Sequence, residues 1–316
     1  MRYLQCVFAV LFIASSQAQP LNIPDSAKQS FFNCNHEALV RFKEANGIEG
    51  LAFAFFDNQK VIWQECLGNS TYGFRINDQT LFSIQSISKN FTALAVMFAV
   101  QDGLLDLNTP ISKYLPEFTV NSCFEEKPEQ KMTLRHLLTH TAGFTHEAPL
   151  GNNYDYSPCS FEEHLKTIKD TWLRFPVGTR YSYSNLGMDV AAQIVQRVSG
   201  LAFNDYLKSK IFHPLGMTST TIDDQEVVGN KNRTEGFPDR IKTQHYQIPL
   251  IGSGAVYTNL TDFIKYAQLH MNFGHTAKTT LIDKKYLFEM YTIRTNNYNY
   301  GLGTYIGPWD DSLCFV

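Results

Sequence analysis

Ser86 and Lys89 are the residues whose types and spacing most directly indicate chemistry. They stand three residues apart at the beginning of an apolar, helix-like stretch, which places both side chains on one face, about one turn apart. A serine hydroxyl barely ionises at neutral pH, and a neighbouring amine that accepts its proton makes it a competent nucleophile. A helix N-terminus also offers free backbone N–H groups to a developing oxyanion. The pair predicts acyl transfer, with Ser86 as nucleophile.

Tyr183 and Asn185 form a second group just before another helix-like stretch. In an extended loop, alternate side chains point the same way, so both can face one site. A nearby lysine favours the phenolate of a tyrosine, which makes Tyr183 a candidate general base. Asn185 is a candidate ligand for a substrate amide, and a helix N-cap is the alternative use of the same side chain.

These two motifs, Ser86-x-x-Lys89 and Tyr183-x-Asn185, resemble those of the serine β-lactamase and penicillin-binding protein superfamily. The similarity is with the class C β-lactamase-related branch, which includes D-alanyl carboxypeptidases and esterases. It runs from about residue 35 to the end of the sequence. The other segments that carry it are 103–107, 113–116, 134–144, 214–217, 252–254 followed by Asp262, and 300–303.

This resemblance implies an α+β fold of the serine β-lactamase and DD-peptidase type. An antiparallel sheet built from both chain termini, about 35–85 and 245–316, would pack against a mainly helical region, about 86–244. Ser86 would be acylated, Lys89 and Tyr183 would share the proton transfers, and Asn185 would contact the substrate. The resemblance implies no metal or organic cofactor. It implies a small-molecule or peptidoglycan-like peptide substrate with an amide, β-lactam or ester bond.

A third motif of the superfamily, Lys/His-x-Gly on a strand that follows 300–303, is implied by the resemblance but is not found after Gly303. That strand normally supplies a second oxyanion N–H, and losing one such donor costs about 10²–10³ in rate. Because the motif is not found, we expect the last strands and the closing helix of the fold to be missing. A non-catalytic or truncated paralogue that acts as a binding protein stays open as the alternative function.

Other catalytic classes find less support in the sequence. His136 and His140 have helical i,i+4 spacing, but the His-Glu-x-x-His pattern of hydrolytic zinc sites is not there, so no metal site is expected. No G-x-S-x-G elbow exists, which argues against an α/β-hydrolase. The 27 Lys and Arg against 30 Asp and Glu give a net charge of −3 without a basic cluster, which argues against a nucleic-acid partner.

The first eighteen residues predict a signal peptide. Arg2 precedes the apolar run 4–14, and Ser16 and Ala18 are the small residues that precede a cleavage point after Ala18. The run is too short to span a bilayer comfortably, and no later segment predicts a membrane span. We expect a protein exported to the periplasm or the exterior, with residues 19–316 as one domain.

Hydrophobic periodicity predicts the helices and strands that must position the two motifs. Two alternating runs around the turn 57–60 predict a hairpin, and the tail 298–306 is also strand-like. A glycine-bearing apolar crossing occupies 249–258. Helical spacing predicts helices over 36–45, 86–101, 133–139, 161–170, 185–199 and 261–271, with Gly103 and Gly200 as helix stops.

Overall fold

The computed structural model describes residues 25–154, 158–236, 249–293, 299–309 and 312–315. The predicted signal peptide, residues 1–18, lies outside them. The helices are α1 (Asp25–Ala45), α2 (Ser88–Gln101), α3 (Leu134–Leu138), α4 (Phe161–Thr167), α5 (Asn185–Ser199), α6 (Phe203–Leu207), α7 (His213–Leu215), α8 (Asp224–Gly229), α9 (Leu260–Met271) and α10 (Lys284–Tyr291). The strands are β1 (Gly50–Phe56), β2 (Val61–Gly68), β3 (Leu81–Ser83), β4 (Arg233–Thr234), β5 (Tyr257–Thr258), β6 (Ile306–Trp309) and β7 (Ser312–Phe315).

The strands confirm the predicted α+β class, but they pair differently from one sheet built from both termini. β1 and β2 form the predicted antiparallel hairpin, and β6 and β7 form another. β3 lies between β4, which runs parallel to it, and β5, which runs antiparallel, with Phe82 opposite both Thr234 and Thr258. Among the described strands, no ladder joins β6 to β1 or β2. Each terminal hairpin pairs strands that are adjacent in sequence, which costs the least loop-closure entropy.

Helix α2 is the centre of the core. Its sequence is apolar on every side, and a helix of that kind is stable only when neighbours cover it all round. All residues from Phe91 to Ala99 are buried, and the amphipathic helix α5 packs along it. Ser88 and Lys89 in the first turn are also buried, so the polar end of α2 lies inside the protein. The packing of α2 therefore fixes where the predicted Ser-Lys pair lies.

A smaller apolar cluster joins the N-terminal hairpin to α9. It contains Ala52, Phe56, Ile76, Phe82, Leu260, Ile264 and Ala267. Phe82 belongs both to this cluster and to strand β3, which leads directly into the segment that holds Ser86. The hairpin and α9 thereby pack against β3, the strand that precedes Ser86 and α2.

Most predicted elements are present, with shifted boundaries. The first helix begins at Asp25 instead of 36, and residues 85–87 form a 3₁₀ turn before α2 begins at Ser88. α2 and α5 end at the predicted glycines, which adopt left-handed backbone angles. In the predicted strand 298–306, residue 298 lies outside the described residues, and Tyr300 makes a single bridge to Tyr305. None of the described helices is both long and apolar enough to cross a membrane.

We expect Gly303 to be far less tolerant of a side chain than Gly200. Both have positive φ, +62° and +71°. A Cβ at Gly303 would lie 2.7 Å from the carbonyl oxygen of Lys89, whereas one at Gly200 would meet nothing within 4 Å. Gly200→Ala should therefore lower the free energy of unfolding by about 1 kcal/mol, the cost of the left-handed angle alone. Gly303→Ala adds overpacking against α2 and should cost about 3 kcal/mol in total.

Chemical denaturation of the two variants beside the parent protein measures this difference. Equal losses would contradict the close approach of residue 303 to α2.

Candidate active site

Ser86 lies in a turn that the protein holds from both sides. Gln85 adopts a left-handed backbone with φ +46°, a conformation that costs a non-glycine residue about 1–2 kcal/mol and persists only when the surroundings impose it. On one side, the N–H of Ile84 donates to the Val256 carbonyl at 3.0 Å. On the other, the N–H of Val256 donates to Ser88 Oγ at 3.0 Å. Ser86 itself is exposed, so its hydroxyl is accessible to a substrate.

The side chain of Lys89 contacts that of Ser86. Its Nζ is 3.1 Å from Ser86 Oγ and donates to the Ser253 carbonyl at 2.8 Å. The same Nζ lies 4.8 Å from the centre of the Tyr183 ring. The lysine is 1% exposed. The structure therefore brings three of the predicted residues, Ser86, Lys89 and Tyr183, into one cluster.

Burial lowers the pKa of Lys89 to about 8, because an ammonium group loses its hydration inside the protein. The carboxylates of Asp189 and Glu147 act in the opposite direction and raise this pKa. At a pKa near 8, a substantial fraction of the amine is neutral at physiological pH. A neutral amine in contact with a serine hydroxyl can accept its proton.

The sequence predicts Tyr183 as a phenolate base, whereas its surroundings favour the protonated phenol. Burial raises its pKa, and a hydrogen bond to Ser86 offsets that rise in part. Lys89 Nζ lies over the face of the ring, so its charge interacts with the π system. In the free protein the phenol therefore keeps its proton. It is available as a proton donor beside Ser86.

Asn185 does not act as a helix cap, so that alternative is wrong. It is the first residue of α5, and the cap position belongs to Ser184. The Asn185 amide nitrogen donates to Glu147 Oε1 at 2.8 Å, which fixes the orientation of the amide because a carboxylate can only accept. Asn153 donates to the same oxygen at 2.7 Å. Within the described part of the chain, Glu147 Oε2 is buried without a hydrogen-bond partner.

His140 is a structural residue of the site that the motif spacing did not identify. Its φ is +57°, and its side chain is buried. Nδ1 accepts from the Ser184 N–H at 3.2 Å, so the neutral ring carries its proton on Nε2, which lies 3.2 Å from the Tyr300 hydroxyl. Burial holds the pKa of His140 well below its ordinary value. The ring packs 4.5 Å from that of Tyr183 and holds the tyrosine in place.

The histidines that raised the question of a zinc site have separate structural partners. His136 closes a capping box with Thr133 at the start of α3, whereas His140 contacts Ser184 and Tyr300. In the residues that the structure describes, no group of three or more His, Cys, Asp or Glu side chains could hold a metal ion.

A cavity of about 570 Å³ opens next to the turn that contains Ser86. Gln85, the neighbour of Ser86, forms part of its wall, and Asn153 connects it to the group around Asn185 and Glu147. The rest of the wall is mixed in character and includes Phe161, Leu250, Gly254 and Tyr257. Ligand sites commonly combine an apolar wall with a few placed polar groups, and their volumes fall in this range.

The sequence is similar to those of known proteins. The model of the Beta-lactamase family matches residues 36–312. The unguisins hydrolase ungD' of Aspergillus campestris is 30% identical over 258 residues, which are 77% of this chain and 47% of that protein. A beta-lactamase of Yersinia enterocolitica is 26% identical over 247 residues, 75% of this chain and 58% of that protein. The chain thus spans about half the length of the curated relatives it matches.

The fold has a counterpart among solved structures. The D-amino acid amidase of Ochrobactrum anthropi SV3 superposes with a TM-score of 0.73 at 20% identity, covering 90% of this chain and 83% of that one. This likeness bears on the fold alone. The family model, by contrast, covers most of the sequence, including the segments 86–89 and 183–185. The chain therefore belongs to the Beta-lactamase family, which confirms the resemblance that its motifs predict.

Proposed function

We propose that this protein is an exported serine hydrolase that opens an amide, β-lactam or ester bond through an acyl-enzyme on Ser86. The observation that carries the proposal is the contact of 3.1 Å between Lys89 Nζ and Ser86 Oγ. An exposed hydroxyl and a buried amine of lowered pKa make a nucleophile with its own base. Membership of a family of hydrolases supports the same reaction class.

In the acylation step, Ser86 Oγ attacks the carbonyl carbon of the substrate while its proton passes to neutral Lys89. The Ser253 carbonyl can only accept, so it takes one N–H of Lys89 and helps to turn the amine lone pair toward Ser86. Ser86 lies in the 3₁₀ turn 85–87, and the first N–H groups of a helical turn have no acceptor within it, so the Ser86 N–H can donate to the oxyanion.

The leaving nitrogen or oxygen then needs a proton. Tyr183 keeps its phenolic proton and is hydrogen-bonded to Ser86, so it can donate to the leaving group and regain a proton from Lys89. A water molecule attacks the resulting ester on Ser86 and gives its proton to Lys89, which is neutral again after it has reprotonated Tyr183. The bond between the acyl carbon and Oγ breaks, and Lys89 returns the proton to Oγ, which restores the starting state.

The cavity beside Ser86 and the fixed Asn185 amide favour a small acyl or peptide substrate. The names of two similar proteins, an unguisins hydrolase and a D-amino acid amidase, state hydrolytic activities within the same fold. A panel of a D-Ala-D-Ala peptide, a short-chain p-nitrophenyl ester and a chromogenic cephalosporin separates the substrate classes. We expect the ester or the peptide to be turned over first.

Ser86 should react with a fluorophosphonate probe, because Lys89 removes its proton when it attacks. Mass spectrometry of the labelled peptides should place the adduct on Ser86, and Ser86→Ala should not be labelled. Ser83→Ala is the matched control: Ser83 borders the cavity but has no lysine three residues on, so this variant should keep its label. An unlabelled parent protein would favour a binding role without turnover.

The labelling rate should rise with pH and reach half of its maximum near pH 8. The reactive form contains neutral Lys89, which predominates above the pKa of about 8. Lys89→Met fills the same space without a base and should slow labelling at least about 100-fold. Rates measured from pH 6 to 10, with circular dichroism as a check on folding, test this. A rate that falls as pH rises through 8 would exclude Lys89 as the proton acceptor.

A further inference from the structure

Asp189 is a fully buried carboxylate in α5 whose use the catalytic motifs do not explain. Its Oδ1 accepts from the Gly252 N–H at 2.9 Å, and its Oδ2 accepts from the Ser253 hydroxyl at 3.1 Å. Two donors from consecutive residues therefore converge on one carboxylate. Asp189 clamps the 252–253 backbone against α5.

The clamped backbone is the segment that contacts the proposed base. The Ser253 carbonyl accepts from Lys89 Nζ at 2.8 Å, and the Gly252 carbonyl accepts from the Thr92 hydroxyl at 2.6 Å. Gly252 and Ser253 thus donate to Asp189 on one side and accept from α2 on the other. A shift of this segment would carry the Ser253 carbonyl away from Lys89.

His164 in α4 balances the charge of Asp189. Its Nε2 lies 3.4 Å from Asp189 Oδ2, an ion-pair distance, and its Nδ1 lies 2.9 Å from the Leu150 carbonyl. A carbonyl can only accept, so Nδ1 carries a proton. If Nε2 did not, its lone pair would face the carboxylate in a site where both side chains are 0% exposed. The geometry therefore favours the doubly protonated ring, although among the described residues Nε2 has no partner within hydrogen-bond geometry. Burial opposes this charge, and Asp189 raises the pKa of His164.

We propose that Asp189 and His164 are positioning residues: the pair holds the Ser253 carbonyl against Lys89 and adjusts the pH at which Lys89 accepts the Ser86 proton. The inference rests on the proposed function, because it concerns the base of that reaction. Neither residue touches Ser86, and both act through the 252–253 backbone and through their charges.

The charges around Lys89 predict the direction in which each substitution changes its pKa. Asp189 and Glu147 raise the pKa of Lys89, while Tyr183 and His140 are neutral in the free protein. Removing the negative charge of Asp189 should lower the pKa of Lys89. Removing the positive charge of His164 leaves Asp189 uncompensated and should raise it. Opposite shifts from the two partners of one ion pair are not expected from a general loosening of the fold.

Asp189→Asn and His164→Gln test the proposal in the full chain. Both replacements keep a polar group near the original position and remove one charge. Fluorophosphonate labelling is followed from pH 6 to 10, with rates expressed per active site. The half-maximal pH should fall by about half a unit in Asp189→Asn and rise by about half a unit in His164→Gln. The maximal labelling rate of Asp189→Asn should drop about tenfold or more, with little change in probe affinity.

Asp262→Asn is the matched control. Asp262 is also buried and also clamps a loop, through the Ser219 N–H at 2.8 Å and the Thr220 hydroxyl at 3.1 Å. Its hydrogen bonds within the described residues do not involve the 252–253 backbone. This variant should lose stability without a change in half-maximal pH. Shifts of equal sign in Asp189→Asn and His164→Gln, or no shift in either, would overturn the positioning role.

Nuclear magnetic resonance of the parent protein, labelled with ¹⁵N in histidine, provides a test that does not depend on the folding of a variant. Both ring nitrogens of His164 should be protonated at pH 7, and a neutral ring there would overturn the ion pair. The failure of the proposed function is a different result: the parent protein would not be labelled on Ser86 at any pH, whatever the state of His164.

Discussion

The desolvation of one amine, Lys89, is the constraint on which the rest of the site depends. A lysine offers up to three N–H donors, and inside a protein each needs an acceptor. The structure meets this need with Ser86 Oγ, the Ser253 carbonyl and the face of the Tyr183 ring. The segment around 253, the loop around 183 and the turn around 86 must therefore all reach the first turn of α2. The amine can be buried only where these three chain segments converge on it.

Close approach of backbone to helix makes that convergence possible, and glycine permits the approach. A Cβ on Gly252 would lie 2.4 Å from the Met188 carbonyl in α5, and one on Gly303 would lie 2.7 Å from the Lys89 carbonyl in α2. At both places the chain crosses a helix with no room for a side chain. The backbone carbonyls of the crossing segments then become acceptors for the helix, as Gly252 does for Thr92. The buried polar side chains at the start of α2 thus find their acceptors largely in backbone carbonyls.

The predictability of the site follows the sequence distance of its contacts. Ser86 and Lys89 are one turn apart, so their spacing alone predicted the contact that the structure shows. The clamp from Asp189 reaches 63 residues along the chain, and the carboxylate of Glu147 lies 38 residues before Asn185. Neither has a local pattern: Asp189 is one polar residue inside an amphipathic helix, and Glu147 lies in the loop between α3 and α4. Ser184 holds the cap position of α5, and the Asn185 amide contacts Glu147 instead. Burial raises the pKa of Tyr183, an effect that the spacing of the motifs does not indicate.

These two carboxylates, Asp189 and Glu147, limit how far burial lowers the pKa of Lys89. Desolvation alone would push the pKa of Lys89 lower than about 8, and Asp189 and Glu147 hold it there. In an unfolded chain the same lysine would have a pKa of about 10.4 and would stay protonated at neutral pH, beside a serine that it could not activate. A folded chain without the carboxylates would contain a weaker base. A base matched to neutral pH therefore exists only when α2, α5 and the loop at 147 are packed together, which makes the proposed reaction a property of the assembled core as much as of the Ser-Lys motif.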